Sequence, residues 1–353
     1  MKKLKALILC SFLLFSCNIP LQKIDVKIPI SRLNYDFDYI SSICTDKNDN
    51  IYIIENNQIK KIDSKTNEIT LIAGKIKPDN FASAGDIDGE ISKAKFGDIS
   101  SLFFSDSENS LYFFDRNIYE TKKSLESGKE DDKIYYSQLR NINNNKVKTF
   151  SDIGNINIIF SKNGKSYFYL FNESILYQFD REPFSITKKI VIPDKSFIRD
   201  TIIDNEGNIY LTITDKLLGN YDDLYVSKNN SWFKIIDSDN DGILTYFLNK
   251  SDDLYVIKEP VRINSFTKEK LLDYYMPSSI YKIPKRDIKD LKMPIKLNNF
   301  KYHIGFLDSD ISFNGYTGDL VKYFADDKNL YIAKSSEQKM KKNYSLYKIK
   351  IGD

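Results

Sequence analysis

Apolar residues along this chain come in short runs separated by polar, turn-forming clusters, and one arrangement keeps returning. A polar turn is followed by an aliphatic residue and a tyrosine that open a new apolar run. Asp46-Lys47-Asn48-Asp49-Asn50-Ile51-Tyr52 is the first copy, and further copies end at Tyr112, Tyr210, Tyr255 and Tyr331, with a weaker one at Tyr167. The six tyrosines are spaced by 60, 55, 43, 45 and 76 residues. Runs this short, rich in Ile, Tyr and Phe, predict strands, and the Asx- and Gly-rich connections predict hairpins.

Each unit resolves further. The runs before the turn (40–44, 102–104, 156–160, 201–203, 243–248, 320–324) and after it (51–54, 111–114, 167–170, 209–213, 254–257, 330–333) predict its first two strands. An apolar-x-polar-apolar phrase supplies a third: Ile59-Lys60-Lys61-Ile62, Leu139-Arg140-Asn141-Ile142, Leu176-Tyr177-Gln178-Phe179, Ile280-Tyr281-Lys282-Ile283 and Leu346-Tyr347-Lys348-Ile349. Fourth runs lie at 69–73, 147–150, 186–192 and 232–236. Four strands per unit predict an all-β, six-bladed β-propeller. The 76-residue interval, with the irregular stretch 289–312 beyond its third strand, leaves a seventh, degenerate blade open. The last unit lacks a fourth run, while residues 24–30 alternate at period two with no partner ahead of them. The expectation is that this N-terminal strand completes the last blade, closing the ring and removing an exposed edge.

The junction of the first two units reads Leu71-Ile72-Ala73-Gly74, then Gly85-Asp86-Ile87-Asp88-Gly89, Ala94-Lys95-Phe96 and Ile99-Ser100-Ser101-Leu102. This resembles the NHL-repeat signature of an apolar-Ala-Gly strand end, a Gly-x-x-Asp-Gly loop, Ala-x-Phe and the next inner strand. The phrase from Asp204 to Tyr210 is similar to that family as well. The resemblance implies a propeller. Asp115 with Asn117 fits the family's acidic ending of strand two, whereas Leu170, Ile213, Lys258 and Lys334 depart from it.

The chain's start carries a separate message. Lys2, Lys3 and Lys5 precede an apolar run at 6–15, and Leu14-Phe15-Ser16-Cys17 resembles a bacterial lipoprotein cleavage box. The expected organisation is a lipoprotein signal peptide at 1–16, a lipidated tether at 17–23 beginning with acylated Cys17, and one propeller domain at 24–353. That places the protein in a bacterial cell envelope, lipid-anchored at the outer membrane or cell surface, since more than one acyl chain gives stable anchoring. Cys10 leaves with the signal, so Cys44 is the one remaining thiol and reads as a buried structural residue. With 52 basic and 49 acidic residues, a formal net charge of +3 and no basic stripe, nucleic-acid binding is not expected.

Strands in a blade alternate direction, so strand 2→3 and strand 4→1 connections share one face. The long insertions at 75–95, 116–133, 214–223, 258–279 and 334–345 are all of these two kinds. Long loops on a rigid scaffold concentrate binding residues, and Arg and aromatic anchors dominate contacts, which singles out Arg116, Tyr221, Arg262, Phe266, Tyr274 and Tyr275. Aligning the tyrosines puts Ser42, Leu102, Asn157, Asp200, Thr245 and Lys322 in one column of the inner strands, with a one-residue gap in the last. Glu55, Asp115, Asp200 and Lys322 are the charged candidates for the central channel. Asp237-Ser238-Asp239-Asn240-Asp241-Gly242 matches the opening of a calcium loop, but Leu248 at the twelfth position and strand-like flanks exclude an EF-hand. Asp237, Asp239 and Asp241 remain a weaker calcium candidate, and no other cofactor is expected. A single histidine, His303, cannot build a multi-histidine zinc site, and no nucleophile–base pair or phosphate loop is evident. The expected function is a scaffold binding a protein or glycan through its insertion-rich face. The alternative is a metal-dependent propeller hydrolase, lactonase or lyase at the channel mouth.

Overall fold

The computed structural model describes residues 30–74, 87–120, 133–153, 156–162, 165–170, 175–180, 184–192, 197–214, 222–228, 231–237, 243–258, 262–266, 271–275, 279–296, 302–306, 321–325, 329–338 and 341–350. Its first strand, β1 (Ile30–Phe37), belongs to the last blade; the others follow in chain order. Blade 1 is β2 (Ile40–Thr45), β3 (Ile51–Glu55), β4 (Gln58–Ile62) and β5 (Ile69–Gly74). Blade 2 is β7 (Asp98–Ser105), β8 (Ser110–Glu120), β9 (Lys133–Asn143) and β10 (Lys146–Ile153), with β6 (Gly89–Glu90) on its outer edge. Blade 3 comprises β11 (Ile156–Lys162), β12 (Lys165–Leu170), β13 (Ile175–Asp180) and β14 (Ser185–Val191). In blade 4, β15 (Phe197–Ile203), β16 (Ile209–Thr214), β17 (Asp222–Lys228) and β18 (Ser231–Asp237) run outward in order.

Blade 5 uses β19 (Ile243–Leu248), β20 (Leu254–Lys258), β23 (Ser279–Ile283) and β25 (His303–Phe306), with a separate hairpin, β21 (Arg262–Phe266) and β22 (Leu271–Tyr275), between its second and third strands. Helix α1 (Lys285–Lys289) and the short β24 (Ile295–Lys296) fall between its third and fourth strands. Blade 6 is β26 (Val321–Ala325), β27 (Asn329–Gln338), β28 (Lys341–Lys350) and β1. The 76-residue interval thus holds a hairpin and an excursion, and the described residues form six blades. The chain is a six-bladed β-propeller.

An N-terminal strand closes the ring, but later than expected. β1 runs antiparallel to β28 from Ile30 opposite Ile349 to Phe37 opposite Tyr344. Residues 24–29, where the closing strand was expected, lie outside the described residues.

The recurring tyrosine explains how five of the six blades are held at one end; in blade 4, Tyr210 stands opposite Val226 instead. Tyr52, Tyr112, Tyr167, Tyr255 and Tyr331 stand opposite Lys61, Asn141, Gln178, Lys282 and Lys348, the polar middle of the third-strand phrase. Ammonium groups cover two of the rings, Lys282 over Tyr255 at 5.5 Å and Lys348 over Tyr331 at 6.0 Å. The hydroxyl reaches the preceding turn: Tyr52 donates to Asp46 at 3.3 Å and Tyr112 to Glu108. Burial, then the Asp46 carboxylate, push the Tyr52 phenol well above its usual pKa.

The turn itself is sealed by its first residue, because a short acceptor side chain can collect two backbone N–H groups ahead of it. Asp46 accepts from the N–H of Asn48 (2.9 Å) and Asn50 (3.0 Å), Asp204 from Glu206 (3.0 Å) and Asn208 (2.8 Å), and Asn249 from Ser251 (3.0 Å) and Asp253 (2.9 Å). Neighbouring turns are then tied together. The Lys47 N–H donates to Asp106 of blade 2 at 2.9 Å, and the Asn205 N–H to Asp252 of blade 5 at 3.0 Å.

Between blades the contacts are apolar. Among the described residues six clusters of buried side chains occur, one at each junction of consecutive blades. At the closing junction, Phe37, Tyr331 and Leu346 of blade 6 meet Ile40, Ile53 and Ile62 of blade 1. Cys44, expected to be buried, is partly buried and packs against the blade 1–2 cluster.

Gly74 ends blade 1 at a position no side chain tolerates. Its φ is +87°, and a Cβ there would lie 2.3 Å from the Asn57 carbonyl oxygen. Gly74→Ala combines left-handed strain with a backbone clash and should cost roughly 2–5 kcal/mol in chemical denaturation. A loss below the error of that measurement would contradict the local geometry.

Candidate functional site

The face bearing the 2→3 and 4→1 connections is built up by β-ribbons. In blade 2 the pairing of β8 with β9 runs on from Arg116 opposite Ser137 to Glu120 opposite Lys133. In blade 6, β27 and β28 stay paired from Ser335 opposite Tyr344 to Gln338 opposite Lys341. Four or five extra residue pairs at about 3.3 Å each carry such a ribbon roughly 15 Å further. Of the segments expected as loops, 334–345 is largely strand and 116–133 is strand at both described ends, 116–120 and 133, and Arg116 stands exposed at the root of a ribbon. The blade 5 hairpin adds a third, with Arg262 opposite Tyr275, Ile263 opposite Tyr274 and Phe266 opposite Leu271.

Beneath the blade 2 ribbon lies a buried ionic network. Arg140 and Asp115 are both fully buried, and an Arg140 guanidinium nitrogen donates to Asp115 Oδ2 at 2.5 Å. The same nitrogen bonds the Lys95 carbonyl (2.6 Å), while the other terminal nitrogen bonds the Ile87 carbonyl (2.8 Å) and Asp88 Oδ1 (3.0 Å). The Phe96 ring lies against the guanidinium at 5.0 Å. Only Nε of Arg140 lacks a hydrogen-bond partner within the structure described. Asp88 also accepts from the Thr149 N–H at 2.6 Å, and Asp115 Oδ1 from the Gly97 N–H at 2.7 Å. Asp88 and Phe96 belong to the linker phrase read from the sequence. Their role is to clamp the blade 1→2 connector onto Arg140. Desolvating such a pair costs several kcal/mol per ion, which these extra hydrogen bonds offset.

Blade 1 repeats the device. Glu55, buried, is ion-paired with Lys60 and accepts from the Asp38 N–H at 2.7 Å. Burial opposes the Lys60 ammonium, but the bond to Glu55 outweighs it and its pKa rises. Asp38 and Gly97 each stand two residues before an inner apolar position, Ile40 and Ile99, so both acids hold the same point of their connectors. Asn57 ties the two blades: its side chain accepts from the Ile99 N–H (2.7 Å) and donates to the Gly97 carbonyl (2.8 Å). Glu55 and Asp115, expected as channel carboxylates, are thus engaged as structural anchors. Sequence reading passed over Lys60 and Arg140, although a signal existed. An acid three residues after the tyrosine occurs only where the third-strand phrase has a base in second place; the other blades carry Tyr177, Tyr225, Tyr281 and Tyr347 there.

Around the channel the inner strands share a feature hidden from sequence. A bulge interrupts the pairing between Ile40 and Ser42, Ser100 and Leu102, Ile156 and Ile158, Ile198 and Asp200, and Ile243 and Thr245. β26 alone pairs without a shift, and its last pair, Ala325 opposite Leu330, encloses four residues where Thr45 opposite Ile51 and Leu248 opposite Leu254 enclose five, which accounts for the one-residue gap needed to align Lys322. Asn157 is itself an extra residue, so the expected column mixes bulged and regular positions. The Ser101 bulge has φ +50°, and the Leu102 N–H beside it donates to Ser42 Oγ of blade 1 at 2.9 Å. Asp200 Oδ1 accepts from the Thr201 N–H at 2.8 Å. Lys322 lies on β26 opposite Ala333. Of the calcium candidates, half-exposed Asp237 lies 3.4 Å from Lys234, whereas Asp239 and Asp241, like Tyr221 and Cys17, fall outside the described residues. His303 sits on β25 opposite Tyr281.

The expectation that every long connection opens on one face needs correction. After β23 the chain leaves blade 5 through α1, and β24 then adds a parallel fifth strand to blade 4, with Ile295 opposite Ile236, before β25 returns. This excursion is a 3→4 connection and belongs to the face of the sealed turns, where it staples blade 4 to blade 5. Lys285 bonds Asp252 (2.7 Å) and Glu206 (3.0 Å), and Lys289 bonds Glu206 (2.7 Å).

No family model matches the chain, and no curated protein does. Solved structures do resemble it. A protein of unknown function from Dyadobacter fermentans aligns with a TM-score of 0.50 at 9% identity, covering 91% of this chain and 99% of its own. The soluble aldose sugar dehydrogenase of Escherichia coli gives 0.47 at 9% identity over 91% and 99%. The β-propeller domain of the Trilobed protease of Pyrococcus furiosus gives 0.44 at 11% identity over 90% and 98%. The first likeness is one of fold.

Two outcomes follow from these contacts. Arg140→Met strands a buried carboxylate and should cost roughly 3–5 kcal/mol, while pairing it with Asp115→Leu should recover part of that loss in denaturation experiments. Additive losses would refute the coupling. The Lys289 and then the Lys285 hydrogen bonds hold the Glu206 carboxyl down at about 2. A carboxyl depressed on folding stabilises above its unfolded pKa and loses that contribution as pH falls through the folded value. The Tm gap between the natural chain and Glu206→Gln should be present at pH 6 and shrink towards zero near pH 2.

Proposed function

We propose that this chain is a lipid-anchored protein of a bacterial envelope whose NHL-like propeller binds a protein or glycan through the ribbon-bearing face. The difference between the two faces carries this reading. One face is self-satisfied, with turn carboxylates spent on their own backbones and on neighbouring turns, and a staple across blades 4 and 5. The other raises ribbons and a hairpin over connectors clamped by Arg140 and Lys60, which is how a rigid scaffold presents contact residues. Arg116, Arg262, Phe266, Tyr274 and Tyr275 all belong to these projecting elements. The competing reading, metal-dependent hydrolysis at the channel mouth, loses Glu55 and Asp115 to ion pairs and so has the weaker support.

Photocrosslinking in intact cells, from probes on the blade 5 hairpin and on the sealed turns, tests this. Crosslinks should come from the hairpin and should drop at least tenfold when Arg262, Phe266 and Tyr274 are all changed to Ala in a normally folded protein. In the same cells, Cys17→Ser should abolish palmitate incorporation. Crosslinking confined to the turns, or acylation that survives Cys17→Ser, would overturn the corresponding half of the proposal.

A further inference from the structure

We propose that the seam between blades 6 and 1 binds a neutral oligosaccharide on a platform formed by Tyr35 and Tyr39. The inference rests on reading the ribbon-bearing face as the working one. The closing strand is irregular where it meets that face. Arg32 pairs with Tyr347 and Asp36 with Ser345, so three residues of β1 pass a single residue of β28. Bulges of this kind re-aim side chains. Here Tyr35, within the bulge, is 40% exposed, and Tyr39, in the connector to blade 1, is 45% exposed. Among the described residues only one other large aromatic side chain is exposed, Phe233 on the outer strand of blade 4.

Both rings are supported from behind. Tyr35 leans on fully buried Phe37, with centroids 4.6 Å apart, and the Lys60 ammonium stands 5.8 Å from its ring. Tyr39 meets Tyr344 edge-on at 6.0 Å. Rings held before a ligand arrives lose little freedom when it binds. Tyr344 is itself fully buried, and its hydroxyl has no hydrogen-bond partner in the structure described. A buried hydroxyl left without a partner is destabilising, and a ligand hydroxyl or water admitted beside Tyr39 would relieve it.

The polar surround selects the chemistry. Arg32 is paired with Asp36 at 3.0 Å and bonds Ser345 Oγ at 2.9 Å. Lys60 is paired with Glu55, and Asp38 accepts from the Asn56 amide at 3.0 Å. Two cations, each already matched, and three carboxylates, the third of them held by an amide, leave no free cation to recruit an anionic ligand. They do leave donors and acceptors side by side around two aromatic faces. A pyranose fits: its hydroxyls bridge such pairs, and its C–H face, weakly positive, lies on the negative face of a tyrosine ring.

The test uses detergent-solubilised full chain with chitohexaose, cellohexaose, maltohexaose and mannohexaose, followed by calorimetry and saturation-transfer NMR. At least one probe should bind saturably, with transfer strongest at its ring C–H protons. Tyr35→Ala and Tyr39→Ala should each weaken binding at least tenfold without moving Tm, while Tyr39→Phe should keep it. Binding of none of the four, or binding that survives the double alanine variant, overturns the inference. If sugars fail while crosslinks from the blade 5 hairpin persist, the glycan site falls and the face assignment stands.

Discussion

A blade of this protein is apolar on both faces of its sheet, and neither face can be left in water. Every other feature answers to that constraint. Phe113, for example, sits fully buried in the blade 1–2 cluster, while Phe114, the next residue on the same strand, serves the blade 2–3 cluster. Fully burying a side chain of this size stabilises by about 1.5–3 kcal/mol, so each strand contributes to two junctions at once. A blade removed from the ring would expose both sides together. Stability is therefore a property of the closed circle, and β1 matters because it brings Phe37 to the sixth junction.

Apolar packing alone does not fix how a chain passes from the rim of one blade to the centre of the next. Two solutions coexist here. Blades 1 and 2 set an acid on their second strand three residues after the tyrosine, pair it with a base on the third, and use it to hold a connector N–H. The remaining blades place tyrosines where the bases stand and carry Leu170, Ile213, Lys258 or Lys334 in the acid's place. The ionic version suits a connector that must follow one path, since its oxygens and nitrogens demand partners at fixed positions.

Much of this was legible in the chain. The turn-and-tyrosine phrase counted the blades correctly, because a polar turn and a tyrosine opening the second strand recur in each blade, even though Tyr210 faces Val226 where the other five tyrosines face a polar partner. The closing strand was placed some residues early for a physical reason: residues 24–30 alternate cleanly at period two, whereas β1 contains a bulge that breaks the alternation. The fourth strand of blade 5 escaped notice because β25 is four residues long and follows an excursion to another blade. Inner-strand bulges leave no mark on hydropathy, so the channel column was blurred. The acid–base clamps were written in the repeat alignment, yet only spatial proximity joins residues 25 positions apart, as in Asp115 and Arg140.

The two faces differ in what remains to be satisfied. On the turn face, Asp46, Asp204 and Asn249 hold their own backbones, Asp106 and Asp252 hold their neighbours', and the staple adds three ion pairs. On the ribbon face, the clamps satisfy the connectors' backbone and leave rings and ribbons projecting above them. Tyr35 and Tyr39 flank the last residues of the closing strand, so the platform they form exists only when β1 is docked on β28. Closure and recognition then share one element. A ring that had opened at its seam would lose the sixth apolar junction and the tyrosine platform in the same event.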